Sequence, residues 1–333
     1  YYKVIETDLS VSTLPYDPPL PSIKLHEGAM KLGWKSVEVP RWFDYSNDVN
    51  GIKQSMTETY IPRFEQFGGN LLPNTRVLII KRRKNKWCLF IENVKSGKKD
   101  KINADLLFIC CGAIQTPALL RRSGIRYNIG NSLKVHLTIK VVAKFNEKVN
   151  SVDVGVPVHQ VKEFSPRYSF GGSISSKPYI KLSMLDHPYH GLDIDKHWKY
   201  MSIYYAMIVS KGLGTIRTIP YFKDPIVRYK ITDSDLELLS EALQKLCLLL
   251  FNAGAVELYP TILGINTLKK INNLKNIPKL LPRDKTNIIT LHLLSSCPMG
   301  EKKEITATDS YGKVRGYENL YINDGSLLPS APG

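Results

Sequence analysis

One apolar run without alternation limits the possible folds more than any other segment: Leu106-Leu107-Phe108-Ile109-Cys110. A strand buried on both faces of a parallel sheet has this pattern, whereas a strand with one solvent-exposed face alternates. The run leads through Gly112 and Ala113 into a helical pattern, with Thr116 as the predicted N-cap and Pro117 at the first helical position. Because ligands of open α/β sheets bind beyond the carboxyl ends of the strands, Gly112 and Ala113 are candidate ligand-binding residues.

A second short strand is predicted near the end of the sequence, and it also ends in a turn suited to a ligand. Leu320-Tyr321-Ile322 is apolar and is followed by Asn323, Asp324, Gly325 and Ser326. Glycine permits a ligand or another backbone to approach closely. Asp324 and Gly325 are therefore the second pair of candidate ligand-binding residues.

The middle of the chain has an alternating pattern instead. Alternating strands are predicted at 135–145, 152–164, 201–209, 215–219 and 226–231. This pattern is typical of an antiparallel sheet with one covered face. Residues 232–251 predict a helix, because Thr232 and Asp235 form a capping box and leucines follow at intervals of three and four. The predicted fold class is thus α/β, an α+β composite that combines parallel strands with an antiparallel sheet.

His292 is one of seven histidines in the sequence, and histidine is a residue type suited to act as a base. Histidine titrates near neutral pH, which suits a group that takes up a proton during a reaction. His292 lies in a His-x-x-x-x-Cys run that ends at Cys297. A thiol nucleophile at Cys297 would need a third group to orient the pair, and the sequence indicates none.

The other histidines favour packing or solvent exposure. His187, His190 and His197 lie in a loop-like stretch where a metal site is conceivable, but a solvated loop is the simpler interpretation. His136 and His159 lie in strand patterns and are predicted to be packed. No metal site is predicted.

The charge balance is strongly basic, with 46 Lys and Arg against 30 Asp and Glu and a net charge of +16. Such an excess is compatible with nucleic acid or another anionic partner. The lysines are scattered, however, and the densest run, residues 81–86, falls where a hairpin turn is predicted. No nucleic-acid recognition motif accompanies the charge, so a basic nucleic-acid-binding protein is the lowest-ranked alternative.

The five cysteines show no Cys-x-x-Cys pair, so buried thiols in a reducing compartment are expected and the cytoplasm is the default location. No apolar run reaches the ~18 residues of a membrane span. The sequence starts with Tyr1 rather than methionine and ends just after a proline, so a piece of a longer protein is expected.

These segments together resemble the glucose-methanol-choline (GMC) family of flavoprotein oxidoreductases. The C-terminal pattern of that family is matched by His292, 296–300, 312–321, 324–326 and 329–333. Two further family segments are similar to 53–55 with 59–62, and to 110–113 followed by Thr116-Pro117. The valine that holds the adenine in the family corresponds to Val77.

The resemblance implies an FAD-dependent enzyme that oxidises a CH–OH group of an alcohol, sugar or sterol-like substrate, with His292 as the base. It implies that Asp324 and Gly325 face the ribityl chain or pyrophosphate, and that Gly112, Ala113 and Val77 line the flavin. Residues 1–133, with inserted segments, and 286–333 would form an FAD-binding, Rossmann-like domain. Residues 134–285 would form a substrate-binding domain on the antiparallel sheet. The electron acceptor and the particular alcohol stay open.

The sequence departs from the family pattern in three places. It has no Gly-x-Gly-x-x-Gly fingerprint, since Gly212-Leu213-Gly214 lacks the third glycine. The stretch 47–51 lacks the cysteine of many relatives, and the sequence stops before the second active-site residue of the family. A truncated or inactive relative that binds no flavin is therefore the alternative to an active oxidoreductase.

Overall fold

The computed structural model describes residues 1–48, 51–187 and 194–332. The helices are α1 (Tyr2–Asp8), α2 (Leu20–Lys31), α3 (Tyr60–Gln66), α4 (Gly112–Arg122), α5 (Lys177–Ser183), α6 (Ile194–His197) and α7 (Asp233–Asn252). The strands are β1 (Val11–Ser12), β2 (Ser36–Glu38), β3 (Arg41–Asp44), β4 (Ile52–Lys53), β5 (Thr75–Arg83), β6 (Lys86–Asn93), β7 (Lys99–Ala104), β8 (Leu107–Ile109), β9 (Lys134–Phe145), β10 (His159–Val161), β11 (Tyr168–Gly172), β12 (Met201–Val209), β13 (Leu213–Arg217), β14 (Ile226–Lys230), β15 (Ala255–Pro260), β16 (Ile288–Ile289), β17 (Leu293–Leu294) and β18 (Leu320–Ile322). Within the described ranges, no helix has both the length and the apolar content needed to cross a bilayer.

An eight-stranded antiparallel sheet forms the centre of the fold, in the order β15-β9-β12-β11-β10-β2, with β16 and β17 also paired to β9. The predicted strands 135–145 and 201–209 are β9 and β12, which pair side by side. The predicted strands 215–219 and 226–231 form a separate hairpin, β13–β14, and do not extend the sheet. The predicted composite of an antiparallel sheet with parallel strands is confirmed.

One face of the central sheet is buried beneath α2 and α7. Ile139 and Val141 of β9 and Ala206 and Ile208 of β12 are fully buried on this face. Since successive side chains of a strand point to opposite faces, their neighbours in sequence point to the other side. The hydrophobic burial that holds the fold together is therefore concentrated between this face and the two helices.

Helix α7 follows its sequence pattern closely. Asp235 N donates to Thr232 Oγ1 at 3.1 Å, and Thr232 N donates to the Asp235 carboxylate at 2.9 Å. This is the predicted capping box. The same carboxylate accepts from Lys211 N at 2.7 Å, so it joins the start of α7 to the segment after β12. Leu239 and Leu243 are fully buried on the core side of the helix.

The other face of the central sheet is only half covered. Val142 and Ile203 pack beneath α5 and α6, in a cluster with Ile180 and Ile194. Toward the other end of β9 and β12, the side chains on this face are partly exposed: Thr138, Lys140, Tyr205, Met207 and Val209. We call these five residues the open face. It ends at His136, which pairs with Val209.

The two predicted ligand-facing strands pair with each other. β8 and β18 are parallel, with Leu107 opposite Leu320 and Ile109 opposite Ile322, so their carboxyl ends lie side by side. Ile109 is buried as predicted, but Phe108 is 54% exposed. The prediction that β8 is buried on both faces is therefore wrong within the described residues, where only one face of this pair is packed against α4.

Two local predictions differ from the structure, and a third agrees with it. Residues 1–30, predicted to be mostly irregular, contain α1 and α2, and Pro21 lies in the first turn of α2, where its missing N–H is tolerated. The predicted helix 53–68 is reduced to α3, and Pro62 lies in its first turn rather than at a kink. The basic run 81–86 does form the predicted hairpin turn, because β5 ends and β6 begins within it.

Candidate active site

The exposed imidazole of His292 is hydrogen-bonded to a second, buried histidine. Nδ1 of His292 lies 2.8 Å from Nδ1 of His136, and Nε2 of His136 lies 2.7 Å from the carbonyl oxygen of Pro332. His136 is 5% exposed, which agrees with the prediction that it is packed. Its contact with His292 was not anticipated from the sequence. The two rings meet edge to face.

The carbonyl of Pro332 determines where the hydrogens of this pair lie. A carbonyl oxygen only accepts, so Nε2 of His136 carries the hydrogen, and Nδ1 of a neutral His136 is then an acceptor. Nδ1 of His292 must supply the hydrogen of the 2.8 Å contact. In a neutral His292 the lone pair is then on Nε2, and this is the nitrogen that can take up a proton.

The surroundings of His136 favour its neutral form. Burial lowers the pKa of His136, and the charges of His292 and Lys162 act in the same direction, against the hydrogen bond to Pro332. A neutral His136 can accept from His292, whereas a protonated one could not. The environment therefore supports the tautomer in which Nε2 of His292 is basic.

The segment after His292 is attached to both predicted turns. Ser295 N donates to the carbonyl of Gly325 at 3.2 Å, and Cys297 N donates to the carbonyl of Ser326 at 2.9 Å. Ser296 Oγ donates to the carbonyl of Ala113 at 2.6 Å. These bonds hold the segment that follows His292 beside the ends of the two parallel strands, although the segments are far apart in sequence.

Pro117 explains why the carbonyl of Ala113 is available. The helix begins at Gly112 and not after Thr116, so the predicted N-cap is wrong and Pro117 lies inside α4. Proline has no N–H and cannot bond to the carbonyl four residues earlier, which is that of Ala113. The hydroxyl of Ser296 occupies this free acceptor.

The Asp324 carboxylate joins the two turns directly. Its Oδ2 accepts from Gly112 N at 2.9 Å and from the hydroxyl of Thr116, and its Oδ1 accepts from Ser326 N at 2.8 Å. A negative charge at the first turn of a helix is stabilised by unpaired N–H groups and by the helix dipole. Asp324 thus fixes the start of α4 at the carboxyl end of β18.

Gly112 adopts a backbone conformation that suits glycine, and the space beside it is open. Its φ is +79°, and a Cβ at this position would have no neighbour within 4 Å. The backbone at the end of β8 is thus accessible to a ligand in a way that a side chain would restrict. The side chain of Ala113, by contrast, is buried in the core.

A cavity of about 450 Å³ lies between β5 and α4, next to the same turn. Val77, Cys111 and Arg122 are among its lining residues. Nη1 of Arg122 is buried and has no hydrogen-bond partner in the described part of the chain, while its Nε donates to Leu78 O at 3.2 Å. A buried donor of a charged group is costly without an acceptor. These residues fit a ligand that brings acceptor oxygens, such as the phosphates of a dinucleotide.

Cys297 is not a nucleophile in this arrangement. It is fully buried, and burial, with the charge of Asp324, raises its pKa to about 12. The thiol is therefore protonated at neutral pH, and a nucleophilic role would require the thiolate. This agrees with the sequence-based rejection of a thiol protease.

The histidine cluster around residue 187 gives no metal site in the described residues. His187 Nε2 lies 2.7 Å from the carbonyl of Pro260, and the ring of His197 meets that of Tyr200 edge to face. His190 lies outside the described residues. Within 1–48, 51–187 and 194–332, no group of three or more His, Cys, Asp or Glu side chains is arranged to hold an ion.

Comparison with known proteins identifies the family. The N-terminal and C-terminal family models of GMC oxidoreductase match residues 1–138 and 216–333. The uncharacterized GMC-type oxidoreductase y4nJ of Sinorhizobium fredii is 36% identical over 348 residues, which cover 100% of this chain and 68% of that protein. This chain belongs to the GMC oxidoreductase family.

More distant GMC relatives share less of their length with the chain. The long-chain-alcohol oxidase FAO1 of Arabidopsis thaliana is 27% identical over 267 residues, which cover 72% of this chain and 34% of FAO1. A GMC-type oxidoreductase of Mycobacterium tuberculosis, Rv0492c, is 25% identical, and the match spans 92% of this chain and 51% of that protein. The chain thus spans about half or less of the length of these two relatives.

The fold is that of solved GMC-type flavoenzymes. The crystal structure of pyridoxine 4-oxidase from Mesorbium loti has a TM-score of 0.71 at 17% identity, covering 96% of this chain and 67% of that one. A fungal aryl-alcohol oxidase has a TM-score of 0.62 at 13% identity, covering 97% of this chain and 69% of that one. At these identities the similarity concerns the fold alone.

Proposed function

We propose that this GMC protein is an FAD-dependent oxidoreductase that oxidises a CH–OH group, with Nε2 of His292 as the base. The observation that carries the proposal is the hydrogen-bond chain from Pro332 through His136 to the exposed His292, which uses Nδ1 of His292 and leaves Nε2 as the nitrogen that can take up a proton. The long-chain-alcohol oxidase and aryl-alcohol oxidase relatives support a substrate with a hydroxyl group.

His292 accepts the proton of the substrate hydroxyl, and His136 supports it by a hydrogen bond. The substrate hydroxyl donates to Nε2 of His292, and its proton moves to that nitrogen as the C–H bond is broken. The imidazolium that forms keeps its Nδ1–H on His136, so His136 accepts a stronger, charge-assisted hydrogen bond at that stage. Pro332 holds His136 in the orientation that this requires.

FAD would be held by the turns that meet beside His292. We propose that Asp324, Gly325, Gly112 and Ala113 line the cofactor, and that the cavity at Val77 takes part of the dinucleotide. When bound, FAD would supply the acceptor for the hydride of the carbinol carbon, which is the part of the chemistry that protein side chains cannot supply. The open space at Gly112 and the unpartnered Nη1 of Arg122 support this fit.

The sheet arrangement supports separate cofactor-binding and substrate-binding segments. We propose that 1–133 and 286–333 bind the cofactor, because the parallel strands β8 and β18 come from these two segments. We propose that 134–285 binds the substrate, because the open face of the central sheet leads to His136. Small-molecule alcohols are the proposed substrates, and either an oxidase or a dehydrogenase reaction is compatible with the site.

Substitution of His292 tests this function. In the full-length protein, His292→Ala and His292→Gln should retain flavin absorbance near ~450 nm, a property of the cofactor, and reduce anaerobic flavin bleaching by alcohols about 100- to 10,000-fold, the usual contribution of a general base. Unchanged bleaching would overturn the role of His292. A wild-type protein that binds no flavin would instead support an inactive relative.

A further inference from the structure

The open face contains a lysine, Lys140, whose charge is not balanced by any of the described residues. Lys134, Lys140 and Lys144 all lie on β9 and point to the same side of the sheet. Lys144 Nζ forms an ion pair with Glu257 at 2.9 Å, and Lys134 Nζ donates to backbone carbonyls after β12. Lys140 Nζ has neither an ion pair nor a hydrogen bond in the described part of the chain.

Lys140 is also partly withdrawn from water. Burial lowers its pKa, and no neighbouring charge contributes. A partly buried ammonium without a partner loses hydration and gains no electrostatic interaction in return. An anionic group placed against it would restore that interaction.

A second cation acts on the histidine pair. Lys162 follows directly after β10, and its charge lowers the pKa of His136. The ammonium of Lys162 likewise has no carboxylate partner among the described residues. The surface that leads to the histidine pair is therefore electropositive, which favours an anionic ligand over a neutral or cationic one.

The side chain of Tyr205 extends away from Lys140. The two residues are opposite each other in the β9–β12 pair. The Tyr205 ring lies across Gly171 of β11, where a Cβ would come within 2.4 Å of its hydroxyl, and that hydroxyl accepts from Gln160 Nε2 at 3.3 Å. Because β11 lies on the far side of β12 from β9, the ring is directed away from Lys140.

The spacing between Lys140 and the histidine pair suits an extended substrate. Lys140 is four residues from His136 on one strand, about 13 Å at the usual rise of a strand. Thr138 and Met207 lie between them and offer a mixed polar and apolar surface. A hydroxyl at His292 and an anionic group at Lys140 would thus belong to opposite ends of one molecule.

We propose that the substrate is an alcohol with an anionic oxygen group, a carboxylate or a phosphate ester, at the end remote from the hydroxyl, and that Lys140 binds this group. This inference rests on the proposed function, because it assigns the hydroxyl end to His292. The open face would then select the substrate by charge and by length.

The test compares matched substrates in the full-length, flavin-loaded protein. The substrates are primary alkanols, ω-hydroxycarboxylates and ω-hydroxyalkyl phosphates in a series of chain lengths. The wild type should prefer one of the two anionic series. Lys140→Met should raise KM for that series about 10- to 100-fold, as expected for a hydrogen bond to a charged group, with a smaller effect on kcat and none on alkanols.

Two further variants make the result specific to this ammonium. Lys140→Arg keeps the charge and should retain most of the preference. Lys144→Met removes a lysine charge on the same side of β9 that already has Glu257 as its partner, so the preference should be unchanged. Equal use of alkanols and anionic alcohols by the wild type, or a preference that survives in Lys140→Met, would overturn the proposal.

Binding of a non-reactive anion separates this inference from the proposed function. Alkyl carboxylates without a hydroxyl should bind the wild type in calorimetry, more weakly at high salt, and should lose affinity for Lys140→Met but not Lys144→Met. If these results hold and no alcohol is oxidised, the anion site stands and the proposed function fails. If alcohols are oxidised without charge preference and no carboxylate binds, the function stands and the anion site fails.

Discussion

Replacing His136 tests whether the histidine pair acts as a unit. His136→Leu removes the acceptor of the His292 Nδ1–H and also the donor to Pro332 O. It places an apolar side chain in a site where His136 is only 5% exposed. A neutral hydrogen bond contributes about 0.5–1.5 kcal/mol and one to a charged group about 1.5–3 kcal/mol. The hydrogen bond to His136 is therefore stronger by about 1–2 kcal/mol when His292 is charged than when it is neutral. In His136→Leu this extra stabilisation of the imidazolium is lost, which corresponds to a decrease of about 5- to 30-fold in rate.

The assay is anaerobic flavin reduction in the full-length protein, followed by stopped flow with a saturating alcohol. His136→Gln is the matched control, because its amide can accept from His292 and donate to Pro332 at the same time. We expect the glutamine variant to retain more of the rate than the leucine variant. Equal rates for the wild type and His136→Leu across the pH range, at equal flavin content, would refute the coupling of the two rings.

Three other substitutions or conditions give defined outcomes. Ser296→Ala leaves the carbonyl of Ala113 without its partner, so we expect a loss of about 1–3 kcal/mol in the free energy of unfolding, measured in urea. Asp324→Asn weakens the link to Gly112, so we expect a lower flavin-to-protein ratio after purification, and an unchanged ratio would contradict the role of the carboxylate. Because the pKa of His136 is lowered in the folded protein, its stabilising effect is complete above about pH 6.5 and declines as the pH falls below that value. In denaturation curves measured from pH 7.5 to 5.5, the free energy of unfolding should decline less for His136→Gln than for the wild type.

Local patterns in the sequence predicted the elements that do not depend on distant partners. The capping box of Thr232 and Asp235 and the leucine spacing of α7 are determined within a few residues, and both are found in the structure. The alternation of β9 and β12 was also visible, since one face is buried and the other is only partly covered. These features follow from local motifs and periodicity.

Features that depend on long-range pairing were not predictable in the same way. The start of α4 at Gly112 is set by Asp324 from the end of the chain, which overrides the preference for Thr116 as the N-cap. His136 was recognised as packed, but its bond to His292 joins residues 156 positions apart, and a strand pattern gives no partner for a buried histidine. The sequence likewise does not show which lysines of β9 have a partner. The structure shows that Lys144 forms an ion pair with Glu257 and that Lys140 has no ion pair among the described residues.

The protonation of His292 in the resting protein tests the central claim most directly. Nitrogen-15 NMR of imidazole-labelled, full-length protein at neutral pH distinguishes a protonated from an unprotonated ring nitrogen. The hydrogen-bond chain predicts that a neutral His292 carries its hydrogen on Nδ1 rather than on Nε2, and that His136 has the opposite tautomer. A hydrogen on Nε2 of His292, with Nδ1 unprotonated, would contradict it.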